Sequence, residues 1–190
     1  YKFLVICFVL IGIYDSNLTS VAEASLTDGL TGHWSFDGKN VNWRSNTATD
    51  TSGFSRHLSL TNMSTSSAPI TGKNGQGLFF DGSNDVATNA TAISSFISAS
   101  DATIAVWIKP TNQAATNVSV FNTAGVIADS GGYIGIHKGV VSSFDSVDRI
   151  WAYNWDGNED KVGFTFTTNE WVHAVLVHTG GQLYIYKNGQ

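Results

Sequence analysis

The stretch Arg149 to Asp160, RIWAYNWDGNED, places Trp151, Tyr153 and Trp155 at every second residue ahead of an acidic tip. Residues two apart on a strand point to one face, so three such rings form a single stripe. A stripe of this kind is either a platform that stacks against a ligand such as a sugar, or the inner face of an ordinary strand. The following segment alternates as well, with Val162, Phe164 and Phe166 apolar. A hairpin closed by Asp156 to Lys161 pairs Trp155 with Val162, Tyr153 with Phe164 and Trp151 with Phe166. That register makes the stripe mostly core and leaves Ala152, Asn154, Thr165 and Thr167 facing solvent. Trp155, nearest the loop, is then its most exposed member, and Trp151, Tyr153 and Trp155 are the candidate ligand contacts.

Catalysis finds less support. Glycoside hydrolysis usually needs two carboxylates about 5–5.5 Å apart for retention, or about 6.5–9.5 Å for inversion. Beyond residue 24 the chain has two glutamates, Glu159 and Glu170, and neither lies in a paired-carboxylate pattern. Asp129-Ser130-Gly131-Gly132 has the form of a serine-protease nucleophile motif, but no upstream His segment matches it, and it reads as a turn. Gly72, Gly75 and Gly77 are not followed by a helix that could aim its N-terminus at a phosphate, so they read as a turn too. His173 and His178 are five apart on one strand and face opposite sides, while His33, His57 and His137 are isolated, so no zinc pair forms. No catalytic residue is assigned.

The elements that position these residues follow from composition and pattern. The 190 residues suffice for one domain, and 42% hydrophobic with 13% charged residues mark it as globular. Abundant Gly, Ser, Thr and Asn suit short strands joined by turns. The net charge is −5, with Lys and Arg scattered, which argues against nucleic acid as a partner. Lys2, the apolar run Phe3 to Tyr14, and Ala22-Glu23-Ala24 before Ser25 form the pattern of a secretory signal peptide. The run is well short of the roughly 20 residues a membrane-spanning helix needs. Residues 1–24 are therefore expected to be a leader, and 25–190 a single secreted or cell-surface domain with no membrane insertion after cleavage. Cys7 lies in the leader, so the remaining domain has no thiol and must hold together by packing. A start at Tyr1 and a stop at the turn signal Asn188-Gly189-Gln190 lead us to expect a fragment truncated at its C-terminus.

From Leu30 the chain alternates, with Leu30, Gly32, Trp34 and Phe36 on one parity. Further strand-like runs are Gly77 to Phe80, Thr103 to Lys109, Tyr133 to His137, Val162 to Thr167, Trp171 to His178 and Gln182 to Tyr186. Turn clusters such as Asp81 to Asp85 and Thr179-Gly180-Gly181 separate them, and only Ala92 to Ser100 hints at a short helix. The expected fold class is all-β, an antiparallel β-sandwich of jelly-roll type.

Six segments in order carry a resemblance. They are Gly32 to Asp37, Asp50-Thr51-Ser52-Gly53 with His57, Gly72 to Gly82 ending in Asn84-Asp85, Thr103 to Pro110, Trp171 to Val175, and Leu183 to Gly189. Together they resemble the laminin-G-like, concanavalin A-like jelly-roll domains common in secreted proteins. The loop Phe54-Ser55-Arg56-His57-Leu58 departs from the family pattern, which usually carries Gly and Asn there. The resemblance implies non-catalytic binding or adhesion, with carbohydrate or a surface protein as partner, within a longer protein. It also implies a structural Ca²⁺ held by Asp37, Asp50 and Asp85, with turn formation as the competing role of these aspartates. Related jelly-roll glucanases carry Glu-x-Asp-x-Glu on one strand, which this chain lacks. An accessory or catalytic part of a glycan-degrading enzyme is the alternative, and a structural spacer the second.

Overall fold

The computed structural model describes residues 3–10, 29–89, 101–111, 118–122, 133–139, 149–155 and 159–190. Among these there is no α-helix, only a 3₁₀ turn at Gly38–Asn40. The strands in chain order are β1 (Phe3–Leu10), β2 (Leu30–Trp34), β3 (Val41–Asn42), β4 (Thr47–Ala48) and β5 (Leu58–Thr61). They continue with β6 (Pro69–Thr71), β7 (Gln76–Phe80), β8 (Val86–Thr88), β9 (Ala102–Ile108) and β10 (Val118–Asn122). The last five are β11 (Tyr133–Gly139), β12 (Arg149–Trp155), β13 (Glu159–Thr165), β14 (Val172–Thr179) and β15 (Gln182–Lys187). They assemble into three antiparallel sheets. The largest has the order β15-β14-β9-β1-β7-β6, with β2 also on β1. The others are β10-β11-β12-β13 and β3-β4-β5-β8.

Period-two burial explains the layers. Leu30, Gly32 and Trp34 are buried while Thr31 and His33 are half-buried, as the alternation from Leu30 requires. On β9, Ala102, Ile104, Val106 and Ile108 point inward, and β14 matches them with Val172, Ala174 and Leu176. Ile136, Ile150 and Ala152 of the second sheet join the same core, so two sheets share one apolar interior. Burying a side chain of this size contributes about 1.5–3 kcal/mol, and this inner layer is where the fold is held.

Turn chemistry sets the hairpin that matters most below. Thr179 pairs with Gln182 across a two-residue loop in which Gly180 and Gly181 have φ of 56° and 73°. Two consecutive positive φ values are the mark of a type I′ turn, whose twist matches the flanking strands. The register of β14 on β15 therefore follows from that pair of glycines.

Two elements bear on the sequence expectations. First, β12 and β13 pair Trp155 with Glu159, Ala152 with Val162, Trp151 with Gly163 and Ile150 with Phe164. Trp151 thus faces Gly163 rather than Phe166, a displacement of three residues, which is odd and so exchanges the faces. Ala152 is fully buried and Val162 is exposed, the reverse of the expected arrangement. Second, the apolar run near the N-terminus contributes β1, paired with β9 on one edge and with β2 and β7 on the other. The possible helix at 92–100, the motif at 129–132 and the tip at 156–158 lie outside the described residues.

Candidate functional site

The outward face of β15, β14 and β9 carries the most coherent set of exposed side chains. Tyr186 pairs with Val175, and Val175 with Ala105. In the next row Tyr184 pairs with Val177, and Val177 with Thr103. Directly opposed residues on an antiparallel pair share a face, so the tyrosines stand along one side of a floor made of Val175, Val177, Ala105 and Thr103. Tyr184 and Tyr186 are 44% and 41% exposed, whereas their strand neighbours Leu183 and Ile185 pack against the core. The two rings sit about 7 Å apart along the strand, from the rise of roughly 3.4 Å per residue.

One end of this floor is closed by a stack. Trp107 pairs with His173, and their rings lie 4.8 Å apart at 26°. Lys73, from the turn between β6 and β7, brings its Nζ to 5.2 Å from the Trp107 ring. The backbone of His173 is held by Asn188, whose side-chain oxygen accepts the His173 N–H at 2.9 Å and whose N–H donates to the His173 carbonyl at 2.9 Å. Burial pushes the His173 pKa below its ordinary 6.5, so the ring is neutral at pH 7. Small residues in the middle and large aromatic ones at the margin make a shallow trough with a rigid wall.

The β12 stripe is different. Trp151 is 8% exposed and lies on the face opposite Ile150 and Ala152, which enter the core. Its ring covers Gly163 so closely that an added Cβ there would lie 2.5 Å from Trp151 Cε3 and 2.8 Å from the Ile150 carbonyl oxygen. The Arg149 guanidinium sits 5.8 Å from its ring centre. Trp151 is therefore buried, but on the face turned away from the core that the stripe is expected to line, and against a glycine instead of Phe166. Tyr153 and Trp155 occupy the register positions opposite Lys161 and Glu159, and their side chains lie outside the described residues.

The three aspartates proposed for calcium each accept backbone N–H groups. Asp50 is buried and accepts the N–H of His33, Ser52 and Arg56, each at 2.9 Å, and the Ser52 hydroxyl at 2.8 Å. Burial works against its charge, but these donors outweigh it and hold the carboxyl below its ordinary 3.8. Asp37 Oδ1 accepts the Gln76 N–H at 3.0 Å, and Asp85 Oδ2 accepts the Asp81 N–H at 2.9 Å. Among the described residues no three His, Cys, Asp or Glu side chains converge on a possible metal position. Each of the three therefore accepts backbone N–H groups, the turn-forming role that competes with Ca²⁺ binding at these aspartates.

The Asp50 loop also raises Phe54 to 56% exposure, with the Arg56 guanidinium 4.5 Å from its ring centre. The Arg56 guanidinium reaches the Thr31 carbonyl, and Trp34 Nε1 donates to the Arg56 carbonyl at 2.8 Å. This is the loop whose sequence departs from the family pattern.

Sequence reasoning passed over Tyr184 and Tyr186. The signal was present in Leu183-Tyr184-Ile185-Tyr186, where aliphatic and hydroxylated aromatic residues alternate. A strand with aliphatics on one parity and tyrosines on the other has one dry face and one wet face. Comparison with known proteins places residues 80–190 within the family model for laminin-G-type domains, described as the concanavalin A-like lectin/glucanases superfamily. That span contains the whole trough except Lys73. No curated protein and no solved structure matches.

Proposed function

The chain belongs to the concanavalin A-like lectin/glucanases superfamily, and from that premise we propose that it is an exported, non-catalytic module that binds carbohydrate. The ligand lies on the outer face of β9, β14 and β15. The observation that carries this reading is the pair of exposed tyrosines on one strand beside a floor of small residues. A sugar ring offers an apolar face of C–H groups and a rim of hydroxyls. A tyrosine offers a flat apolar ring and one hydroxyl, and has only two side-chain torsions to freeze on binding. Two such rings, one floor and the Trp107–His173 wall orient an elongated saccharide without any group moving far.

Support for export comes from Lys2, the apolar run and Ala22-Glu23-Ala24, with the leader 1–24 removed and the domain secreted or held at the cell surface. Among the described residues no helix is long and apolar enough to cross a membrane. Support for binding without catalysis comes from the scarcity of carboxylates near the trough: its floor and walls consist of aliphatic, aromatic, Thr, His and Lys side chains.

The test is calorimetric titration with a panel of soluble glucan, xylan, mannan and galactan oligosaccharides. At least one binds, and Tyr184→Ala or Tyr186→Ala each weakens it about tenfold, as the loss of one aromatic stacking contact predicts. Unchanged affinity in both variants contradicts the assignment. Release of new reducing ends from the same panel contradicts the non-catalytic reading and favours a glycan-degrading enzyme.

A further inference from the structure

The turn from Gly72 to Gly75, which reads in sequence as a simple connection, carries a positive charge to one end of the trough. Its base is fixed. The Gly72 N–H donates to the Gly75 carbonyl at 3.0 Å, and Asp37 Oδ1 accepts the Gln76 N–H at 3.0 Å. A Cβ at Gly72 would lie 2.9 Å from the Gln76 carbonyl oxygen, and one at Gly75 would meet the Asp37 carboxylate. Lys73 therefore leaves a rigid backbone, and its Nζ stands 5.2 Å from the Trp107 ring centre. His173 flanks the same indole from β14, whereas Lys73 approaches from the other side of β9, where β7 and β6 lie. A second cation stands at this end. Ile108 and Pro110 are buried, so alternation puts Lys109 on the outward parity, two residues beyond Trp107. Among the described residues neither lysine forms an ion pair. Of the nearest acidic residues, Asp37 holds the base of the turn, and Glu170 lies in the exposed turn ahead of β14.

The opposite end has the opposite sign. Asp101 is exposed and precedes the buried Ala102, so it shares the outward parity of Thr103, Ala105 and Trp107. Its Oδ1 accepts the Gly180 N–H at 3.3 Å, which places it beside the Gly180-Gly181 turn. Asp101 and Trp107 stand about 20 Å apart along β9, from the rise of roughly 3.4 Å per residue. Between them the floor of Val175, Val177, Ala105 and Thr103 is uncharged. A wholly neutral saccharide leaves both lysines unused, and a polyanion sets charge on an uncharged floor and against Asp101. We infer that the trough takes a saccharide that is neutral along its length and ends in one acidic sugar residue, whose carboxylate or sulfate meets Lys73 beside Trp107. This deepens the carbohydrate reading above and rests on it. Lys73 is then a specificity residue that also sets direction, with the acidic end at Trp107 and the neutral end at the Gly180-Gly181 turn.

The experiment titrates the full chain with glucan, mannan and galactan oligosaccharides, each neutral, with one terminal uronic acid, with one terminal 6-sulfate, and as the all-uronate chain. The expected result is that an acid-ended form binds about fivefold tighter than its neutral parent, as one partly exposed ion pair predicts. High salt erases that gain. A gain from the carboxylate, the sulfate or both supports the inference, and the larger gain identifies the acid. Lys73→Gln combined with Lys109→Gln brings the ratio of acid-ended to neutral affinity to about one, whatever it does to the neutral form, and Lys73→Arg restores the gain. The all-uronate chain binds no tighter than the acid-ended form. A ratio of one in the native chain, a ratio that both lysine substitutions leave unmoved, or an all-uronate chain that binds tightest overturns the inference. Neutral forms that bind while the acid adds nothing remove this inference alone. Absence of binding by every form removes the carbohydrate reading, and this inference with it.

Discussion

β12 and β15 carry the same sequence signature, aromatic residues two apart on a strand, and put it to opposite uses. On β12 Trp151 lies against Gly163 and is buried. On β15 Tyr184 and Tyr186 stand clear of their neighbours, each more than two-fifths exposed. The strands differ in what lies across from them. β12 is flanked on both sides, by β11 and β13, and the residue opposite Trp151 on β13 has no side chain to hold the ring off the sheet. β15 ends its sheet, and opposite its tyrosines stand Val177 and Val175, too short to cover them. Exposure of an aromatic stripe is thus decided by the neighbouring strand, and the stripe's own spacing says only that the rings share a face.

The largest effect is expected at Trp151. Trp151→Ala removes a buried ring and lowers stability by about 3–5 kcal/mol, read by chemical denaturation. A loss under about 1 kcal/mol would show that the ring is not a packing element and return it to the list of ligand contacts. Gly163→Val comes next. Its new side chain meets both the indole and the Ile150 carbonyl oxygen, a backbone atom with little freedom to yield, and costs about 1–3 kcal/mol. Tyr186→Ala sharpens the contrast, because it changes stability by less than about 1 kcal/mol while weakening the saccharide about tenfold.

The smallest effect is a pH dependence at the end of the trough. His173 has its pKa lowered by burial, so the unfolded chain takes up this proton first as pH falls. Its contribution is favourable above 6.5 and is lost as pH drops from 6.5 through the folded value. An NMR titration finds the His173 midpoint below 6.5, and His173→Gln flattens that part of the stability curve. A midpoint at or above 6.5 contradicts the burial argument.

Much of the fold is legible in the residues themselves. Strands β2, β9 and β14 are long enough for period-two alternation to show, and each buries the parity the sequence marks. The Gly180-Gly181 turn, with its positive φ values, is equally readable from residue type. β3, β4 and β8 have only two or three residues, too few for a pattern to emerge. The β12–β13 register was misread because apolar parity on both strands allows several pairings. Nothing in Val162, Phe164 and Phe166 indicates that Gly163 accepts the indole.

The aspartates show a second limit. Asp37, Asp50 and Asp85 look alike in sequence whether a carboxylate caps backbone N–H groups or holds a cation, because loops use aspartate for both. What the structure adds is that the Ser52, His33 and Arg56 N–H groups point toward Asp50, a capping role that its sequence context does not mark. The tyrosine face was visible in the alternation of Leu183 to Tyr186, but its meaning depends on Val175, Val177, Ala105 and Thr103 forming a low floor beside it. That floor comes from pairing between strands some 70 residues apart in the sequence.

The central claim is that the ligand face lies on β9, β14 and β15. It is tested most directly by amide chemical-shift mapping with the tightest oligosaccharide from the panel. The account predicts perturbations centred on His173, Val175, Val177, Tyr184 and Tyr186, with Trp151 unaffected. Perturbations centred on β12, or on the loop from Asp50 to His57, with the β15 amides unmoved, contradict it.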